Sequence, residues 1–167
     1  KGIVSKYLSV LETLQLVKRK ASITENIEKT RKSIYFICDN FFRFWFRFCF
    51  QYKSMIEEGK EEILIKEEII PNMSQFVSYT FEDICRELVS EEFDTVGSWW
   101  SKDKEIDIVG IKKSKEKVLF GECKWTEEKV GMEILQKLIT LSSLTGIEMK
   151  TKIYALFSKK GFTKDLI

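Results

Sequence analysis

A chain of 167 residues, 44% apolar and 32% charged, can bury one sizeable core or two small ones, which excludes the fibrous and disordered classes. Lys and Arg number 28 against 26 Asp and Glu, so whole-chain charge demands no polyanionic partner, and any nucleic-acid argument rests on local patches. The chain has no histidine, which removes the usual general base, the Ser-His and Cys-His nucleophile systems and most transition-metal sites. An enzyme built from this composition works with carboxylates, lysines and hard cations. Cys38, Cys49, Cys85 and Cys123 lie far apart with no CxxC pair, the pattern of reduced thiols in a cytoplasmic protein. The most apolar stretch, Ile34 to Phe50, is interrupted by Asp39, Arg43 and Arg47 and falls short of the ~18 uncharged residues of a spanning helix, so no membrane anchor is expected.

From Ile3 to Leu16, Val4, Tyr7, Leu8, Leu11 and Leu14 recur at helical spacing, with Ser5, Lys6 and Ser9 on the opposite face. Leu16 to Lys20 and Ser33 to Cys38 read as two short strands joined by a polar connection. Helix followed by a basic-edged hairpin suggests a partial winged helix-turn-helix over residues 1–40, with Lys6, Lys18, Arg19, Lys20, Arg31 and Lys32 as available phosphate contacts. The alternative is a small helix-plus-hairpin module with solvated lysines.

Asp39 or Asn40 can cap a helix from Phe41 onward, and eight of the twelve residues from Phe41 to Tyr52 are aromatic. That density predicts a buried structural helix rather than a base-stacking platform, within a helical connector over residues 41–70. Residues 60–70 read as a second charged-faced helix, and Pro71 and Asn72 are expected to break the chain. Past that break Val77, Phe81, Ile84, Cys85 and Leu88 restore a helical stripe up to Ser90. The order that follows is strand 105–111, lysine-rich turn, strand 118–125, helix 127–144 capped by Thr126 and closed by Gly146, and strand 152–158. This α-β-β-α-β succession over residues 71–167 predicts an α/β domain with a mixed sheet, because a helix that long between two strands permits a parallel crossover.

Glu122 and Lys124, two apart in the apolar run Val-Leu-Phe-Gly-Glu-Cys-Lys-Trp, leave one face of a strand ~6.5–7 Å apart. Asp107 lies on the preceding apolar run, Glu-Ile-Asp-Ile-Val, which a hairpin brings alongside. Glu-x-Lys recurs at Glu58/Lys60, Glu127/Lys129 and Glu148/Lys150, but only the Glu122 instance sits deep in an apolar run with an acid upstream on a second one. Asp107 and Glu122, with the backbone carbonyl of Cys123, match the hard-oxygen set of Mg²⁺ or Mn²⁺. Lys124 is then placed to orient a water or neutralise phosphoryl charge. Glu82 on the preceding helix can complete the site, with Glu87 as the alternative. The competing reading is an exposed ion pair on an edge strand. Trp99, Trp100 and Trp125 flank the site in sequence, either stacking on bases at its mouth or packing on the sheet.

At these residues the chain resembles the PD-(D/E)xK nuclease superfamily, whose restriction-endonuclease-like core is an α-β-β-α-β unit. The resemblance implies that Glu82, Asp107, Glu122 and Lys124 bind metal and cleave DNA or RNA, DNA being favoured. A wider likeness runs through Tyr35 to Asp39 with Asn40-Phe-Phe-Arg-Phe-Trp-Phe-Arg-Phe, Trp99-Trp100, Glu105-Ile-Asp-Ile-Val, Gly121-Glu-Cys-Lys-Trp and Phe157 to Phe162. Over those segments the chain is similar to the C-terminal region of archaeal P-loop ATPases of the AAA+/STAND type. That likeness implies an N-terminal ATPase portion, binding ATP, outside these residues; no GxxxxGK[ST] motif occurs within them. Two other functions stay open. One is a catalytically silent nuclease-fold module that binds nucleic acid or protein and regulates the ATPase; the other is a structural role, with the aromatic helix and a sheet edge forming an oligomer or interdomain contact.

Overall fold

A computed structural model describes residues 2–167. It divides into two compact units, one comprising the chain up to Ala21 with Asn26–Met73, the other Ser22–Glu25 with Ser74–Ile167. Among the described residues no helix is long and apolar enough to cross a membrane.

The first unit holds helix α1 (Ile3–Thr13) and strands β1 (Val17–Lys20) and β2 (Ile34–Ile37), which pair antiparallel with Arg19 opposite Tyr35. Helical segments follow: α2 (Asn40–Phe44), a π turn Trp45–Cys49, a 3-10 turn Phe50–Tyr52, α3 (Lys53–Glu57), α4 (Glu61–Leu64) and a second π turn Ile65–Ile69. Asp39 caps α2 as expected, accepting from the Phe42 N–H at 3.0 Å. The expected burial of the aromatic helix is not observed. Phe48 is buried, but Phe41, Phe42, Trp45, Phe46 and Phe50 are exposed. Aromatics at eight of twelve positions surround the helix, and packing against one neighbour covers only one stripe. The outer rings contact one another instead, Phe41 with Trp45 at 6.4 Å and Phe46 with Phe50 at 5.5 Å between centroids.

The expected break at Pro71 does not occur either; helix α5 runs from Ile70 to Ser90 through it. The π turn supplies the reason. The Ile70 N–H reaches back five residues to the Ile65 carbonyl, and the Asn72 side chain donates to the Glu68 carbonyl at 2.8 Å. The ladder is thereby re-spaced where proline lacks its donor.

The second unit is a four-stranded mixed sheet between two helices: β3 (Thr95–Ser101), β4 (Lys104–Lys112), β5 (Lys117–Lys124), helix α6 (Met132–Ser142) and β6 (Thr151–Ser158), in sheet order β3-β4-β5-β6. The two hairpin pairings are antiparallel, and β6 joins β5 in parallel, as the crossover helix permits. Strand β3, which holds Trp99 and Trp100, is an addition to the expected succession. Helix α6 starts later than expected, because Val130 bridges to Phe162 and Glu127 pairs with Lys159 and Lys160 instead of opening a helical turn.

Strand β5 is buried on both faces, as a central strand flanked by helices must be. On the α6 side, Leu138 and Leu141 pack on Ile106, Val109, Val118, Phe120 and Trp99. On the α5 side, Cys85, Val89 and Phe93 pack on Ile108, Leu119 and Cys123. Fully burying side chains of this size contributes about 1.5–3 kcal/mol each, so the central strands dominate the unit's stability. Gly110 lets α5 approach closely: a Cβ there would lie 2.9 Å from both Phe93 and Val89 side-chain carbons. Gly110→Ala is therefore expected to destabilise the fold by about 1–3 kcal/mol, read as a lower midpoint in urea unfolding.

Candidate metal and catalytic site

Strands β4 and β5 pair from Lys112 and Lys117 as far as Ile108 opposite Gly121, and then part. Beyond that point β4 continues with β3 and β5 with β6. The next rung is made by a side chain: the Cys123 N–H donates to Asp107 Oδ2 at 2.8 Å. Because N–H and C=O of one strand residue point to the same side, the Cys123 carbonyl also faces the gap between the strands.

A β-bulge aims Asp107 into this fork. Gly97 opposes Val109 and Trp99 opposes Ile106, so Ser98 alone stands against Asp107 and Ile108. The strict alternation of faces is broken there: Ile106 and Val109, three apart, share the α6-facing core while Ile108 faces α5. Glu122 follows Gly121 on β5 and is 8% exposed; its Oε1 accepts from Lys124 Nζ at 2.6 Å. The two do share a face, but β5 is a central strand, so this is not an exposed pair on a sheet edge.

The electrostatics tie Glu82 to the same cluster. Burial first, and then the neighbouring Asp107 charge, push the Glu82 carboxyl up to about 7, against the pull of Arg86. Burial and Glu122 likewise raise Asp107 to about 6, opposed by the Cys123 N–H and Lys124. Burial works against the Lys124 charge, but its hydrogen bond to Glu122 holds its pKa above the ordinary value. Glu105, exposed on β4, adds negative charge beside both Glu82 and Asp107. Glu82, Asp107, Glu122 and Lys124 thus form one chain of neighbours, whereas Glu87 is exposed.

The donor set suits a hard cation. Asp107 and Glu122 each keep a second carboxylate oxygen outside these bonds, and the Cys123 carbonyl faces the same gap. The Cys123 thiol is packed with Cys85 in the core, where burial pushes its pKa up, so soft-metal chemistry is disfavoured. Among the described residues no three Asp, Glu or Cys side chains close around one point. Two carboxylates with water completing the shell is the usual Mg²⁺ arrangement, and the residues present fit it.

The remaining sequence candidates are dispersed. Trp99 is 4% exposed and belongs to the core, so it offers no stacking surface. Trp100 is half-buried on edge strand β3. The Trp125 ring contacts Phe81 at 5.1 Å and lies under Lys159 Nζ at 5.2 Å. In the first unit Arg19 is held by Ser33 and the Thr30 carbonyl, each at 2.7 Å, and Lys20 lies over the Phe36 ring. Lys6, Lys18, Arg31 and Lys32 are exposed. The residue that sequence reasoning missed is Arg86. Its Nη1 donates to the Asp107 carbonyl at 2.8 Å and to Ser98 Oγ at 3.2 Å, its Nη2 bonds Asp83 at 2.9 Å, and Glu82 lies 3.5 Å away. The i,i+4 spacing of Glu82 and Arg86 on a helix was the available signal.

The chain belongs to the DUF234 family of archaeal and bacterial proteins of unknown function, whose model matches residues 45–135. That stretch contains Glu82, Arg86, Asp107, Glu122 and Lys124. The chain is 33% identical over 170 residues to an uncharacterized protein of Methanocaldococcus jannaschii, covering 95% of this chain and 38% of that protein. It therefore spans well under half the length of that relative. No solved structure matches it.

Glu82 and Asp107 bind their protons more tightly in the folded state than in the unfolded chain. Their contribution to stability is full below the ordinary carboxylate range and is lost as pH rises through about 6 to 7. Thermal melts should show Tm falling between about pH 5 and pH 8, and Glu82→Gln should flatten the upper part of that fall. A Tm that rises over the same interval would contradict this placement of the two acids.

Proposed function

We propose that the second unit is a Mg²⁺- or Mn²⁺-dependent nuclease domain of the PD-(D/E)xK kind, hydrolysing phosphodiesters of DNA in preference to RNA. The observation that carries this reading is the fork between β4 and β5, where buried Glu122 and half-buried Asp107, from adjoining strands, lie near each other beside a lysine. The α-β-β-α-β order recurs in α5, β4, β5, α6 and β6, with β3 added outside β4. Asp107, Glu122 and the Cys123 carbonyl would hold the ion, with Glu82 acting directly or through water. Bound there, a divalent cation supplies Lewis-acid polarisation of the scissile phosphate and a water of lowered pKa.

The protein's own groups do the rest. Lys124, charged and anchored on Glu122, presents its ammonium to the phosphoryl oxygens as negative charge develops on them. Asp107 is fixed by the Cys123 N–H, so one of its oxygens is oriented before any ligand arrives. The helices on both faces of the sheet keep the inner end of the fork dry, which strengthens each of these interactions.

We further propose that the first unit is a partial winged helix whose exposed Lys6, Lys18, Arg31 and Lys32 are phosphate contacts, and that the chain is the C-terminal part of a longer archaeal AAA+/STAND-type ATPase. The relative's greater length supports the second statement, since most of that protein lies outside the aligned region. Location in the cytoplasm belongs to the same reading.

Purified protein should cleave single-stranded, duplex or branched DNA only when Mg²⁺ or Mn²⁺ is supplied. Asp107→Ala and Glu122→Ala should each reduce the rate at least about a hundredfold, and Lys124→Ala by a similar factor with ion binding retained. Cleavage unaffected by Asp107→Ala with Glu122→Ala refutes the mechanism. If the parent binds ions but cleaves none of these DNAs, the unit is a nuclease-derived regulatory module instead. Calorimetry should also show protons released on Mn²⁺ binding between about pH 6 and 7, because the raised Glu82 and Asp107 carboxyls must ionise.

A further inference from the structure

Arg86 is the one strong cation at the site that no step above uses. Its side chain is only 15% exposed, on the part of α5 that faces the sheet. Burying a guanidinium is costly unless its donors are satisfied, and its fork meets acceptors on three elements. Nη2 is held by Asp83 one turn back on the same helix, and Nη1 reaches Ser98 Oγ on β3 and the Asp107 carbonyl on β4. The two sheet contacts lie on either side of the bulge where β4 carries one residue more than β3.

A bulge leaves backbone groups without ladder partners, and an unbonded buried carbonyl can swing its peptide plane. Here the Asp107 carbonyl has Arg86 as its partner. The orientation of that peptide determines where the Asp107 side chain leaves the strand, and its carboxylate then meets the Cys123 N–H. Helix, bulge and fork are thus coupled in series through one guanidinium.

We propose that Arg86 is the positioning residue of the site: by holding Ser98 and the Asp107 carbonyl across the bulge, its guanidinium fixes the direction in which the Asp107 carboxylate points into the fork. As a role in catalysis this rests on the metal-dependent reading above, but the geometric claim does not. The fork geometry of the guanidinium matters more than its charge, since an ammonium cannot span Asp83, Ser98 and Asp107 together.

The test uses the full chain without metal. Backbone amide NMR of the parent should show the Cys123 N–H shifted downfield and slow to exchange, the mark of a bond to a carboxylate. In Arg86→Met that signature should be lost, with exchange at Cys123 accelerated at least about tenfold, while the Val118 and Phe120 amides keep their positions. Arg86→Lys should lose it too although its charge is retained. Ser98→Ala, which removes one anchor and leaves the Asp107 carbonyl bonded, should keep most of it. A Cys123 amide unchanged in either folded Arg86 variant overturns the proposal. Failure of both variants to fold also overturns it, because Arg86 would then be a structural residue. Mn²⁺ affinity of the same samples should fall about ten- to a hundredfold in both variants. A parent that binds no Mn²⁺, with a Cys123 signal that still depends on Arg86, refutes the metal-dependent reading and leaves the positioning role standing. A parent that binds Mn²⁺ with a Cys123 signal indifferent to Arg86 does the reverse.

Discussion

The bond from the Cys123 N–H to the Asp107 carboxylate is the contact on which the site depends. A backbone ladder would have closed β4 onto β5 at that rung; a side chain closes it instead and keeps the strands apart. Everything near it follows from that substitution. The Cys123 carbonyl is left facing the gap, Glu122 comes within reach of Asp107, and Lys124 folds back on Glu122. A half-buried carboxylate with one amide and a nearby lysine is under-compensated, and its pKa is raised accordingly.

Charge counting reaches the same place. Beside Glu82 and Asp107 lie the acids Glu105 and Glu122, and the cations acting on the two are Arg86 and Lys124. A surface cluster of that composition would be screened by water, but Glu122 is buried and Glu82 and Asp107 are partly so. The excess negative potential is relieved by protons, which gives the raised values of Glu82 and Asp107, or, in the proposed reading, by a divalent cation. In the proposed reading proton and metal would compete at Asp107, with Glu82 beside it, so the fold's pH response and the proposed chemistry would share one origin.

Much of the core was legible in the sequence because its signals are short-range. The period of two in Glu122 and Lys124 inside an apolar run identified a strand, though not its central place in the sheet, and the long crossover after it permitted a parallel partner, which β6 provides. What escaped depends on contacts between elements or on irregular backbone. Strand β3 was hidden because Gly97 and Ser98 dilute its pattern and its tryptophans drew a site reading; Trp99 is core. The bulge at Asp107 leaves no mark on sequence periodicity, and Arg86 looks like any helix arginine until its partners on two strands are seen. Pro71 breaks no helix because a π turn before it absorbs the missing donor. The aromatic segment was expected to be buried because of its density, yet a rod with rings all round cannot hide them in one groove.

The most direct measurement is anomalous diffraction from crystals of the chain soaked in Mn²⁺. A peak between the Asp107 and Glu122 carboxylates, at about 2.1–2.3 Å from their oxygens and absent in Asp107→Ala, is the expected result. Mn²⁺ bound only at exposed acids such as Glu127 or Glu92, with the fork between β4 and β5 free of it at saturating concentration, would contradict the metal site.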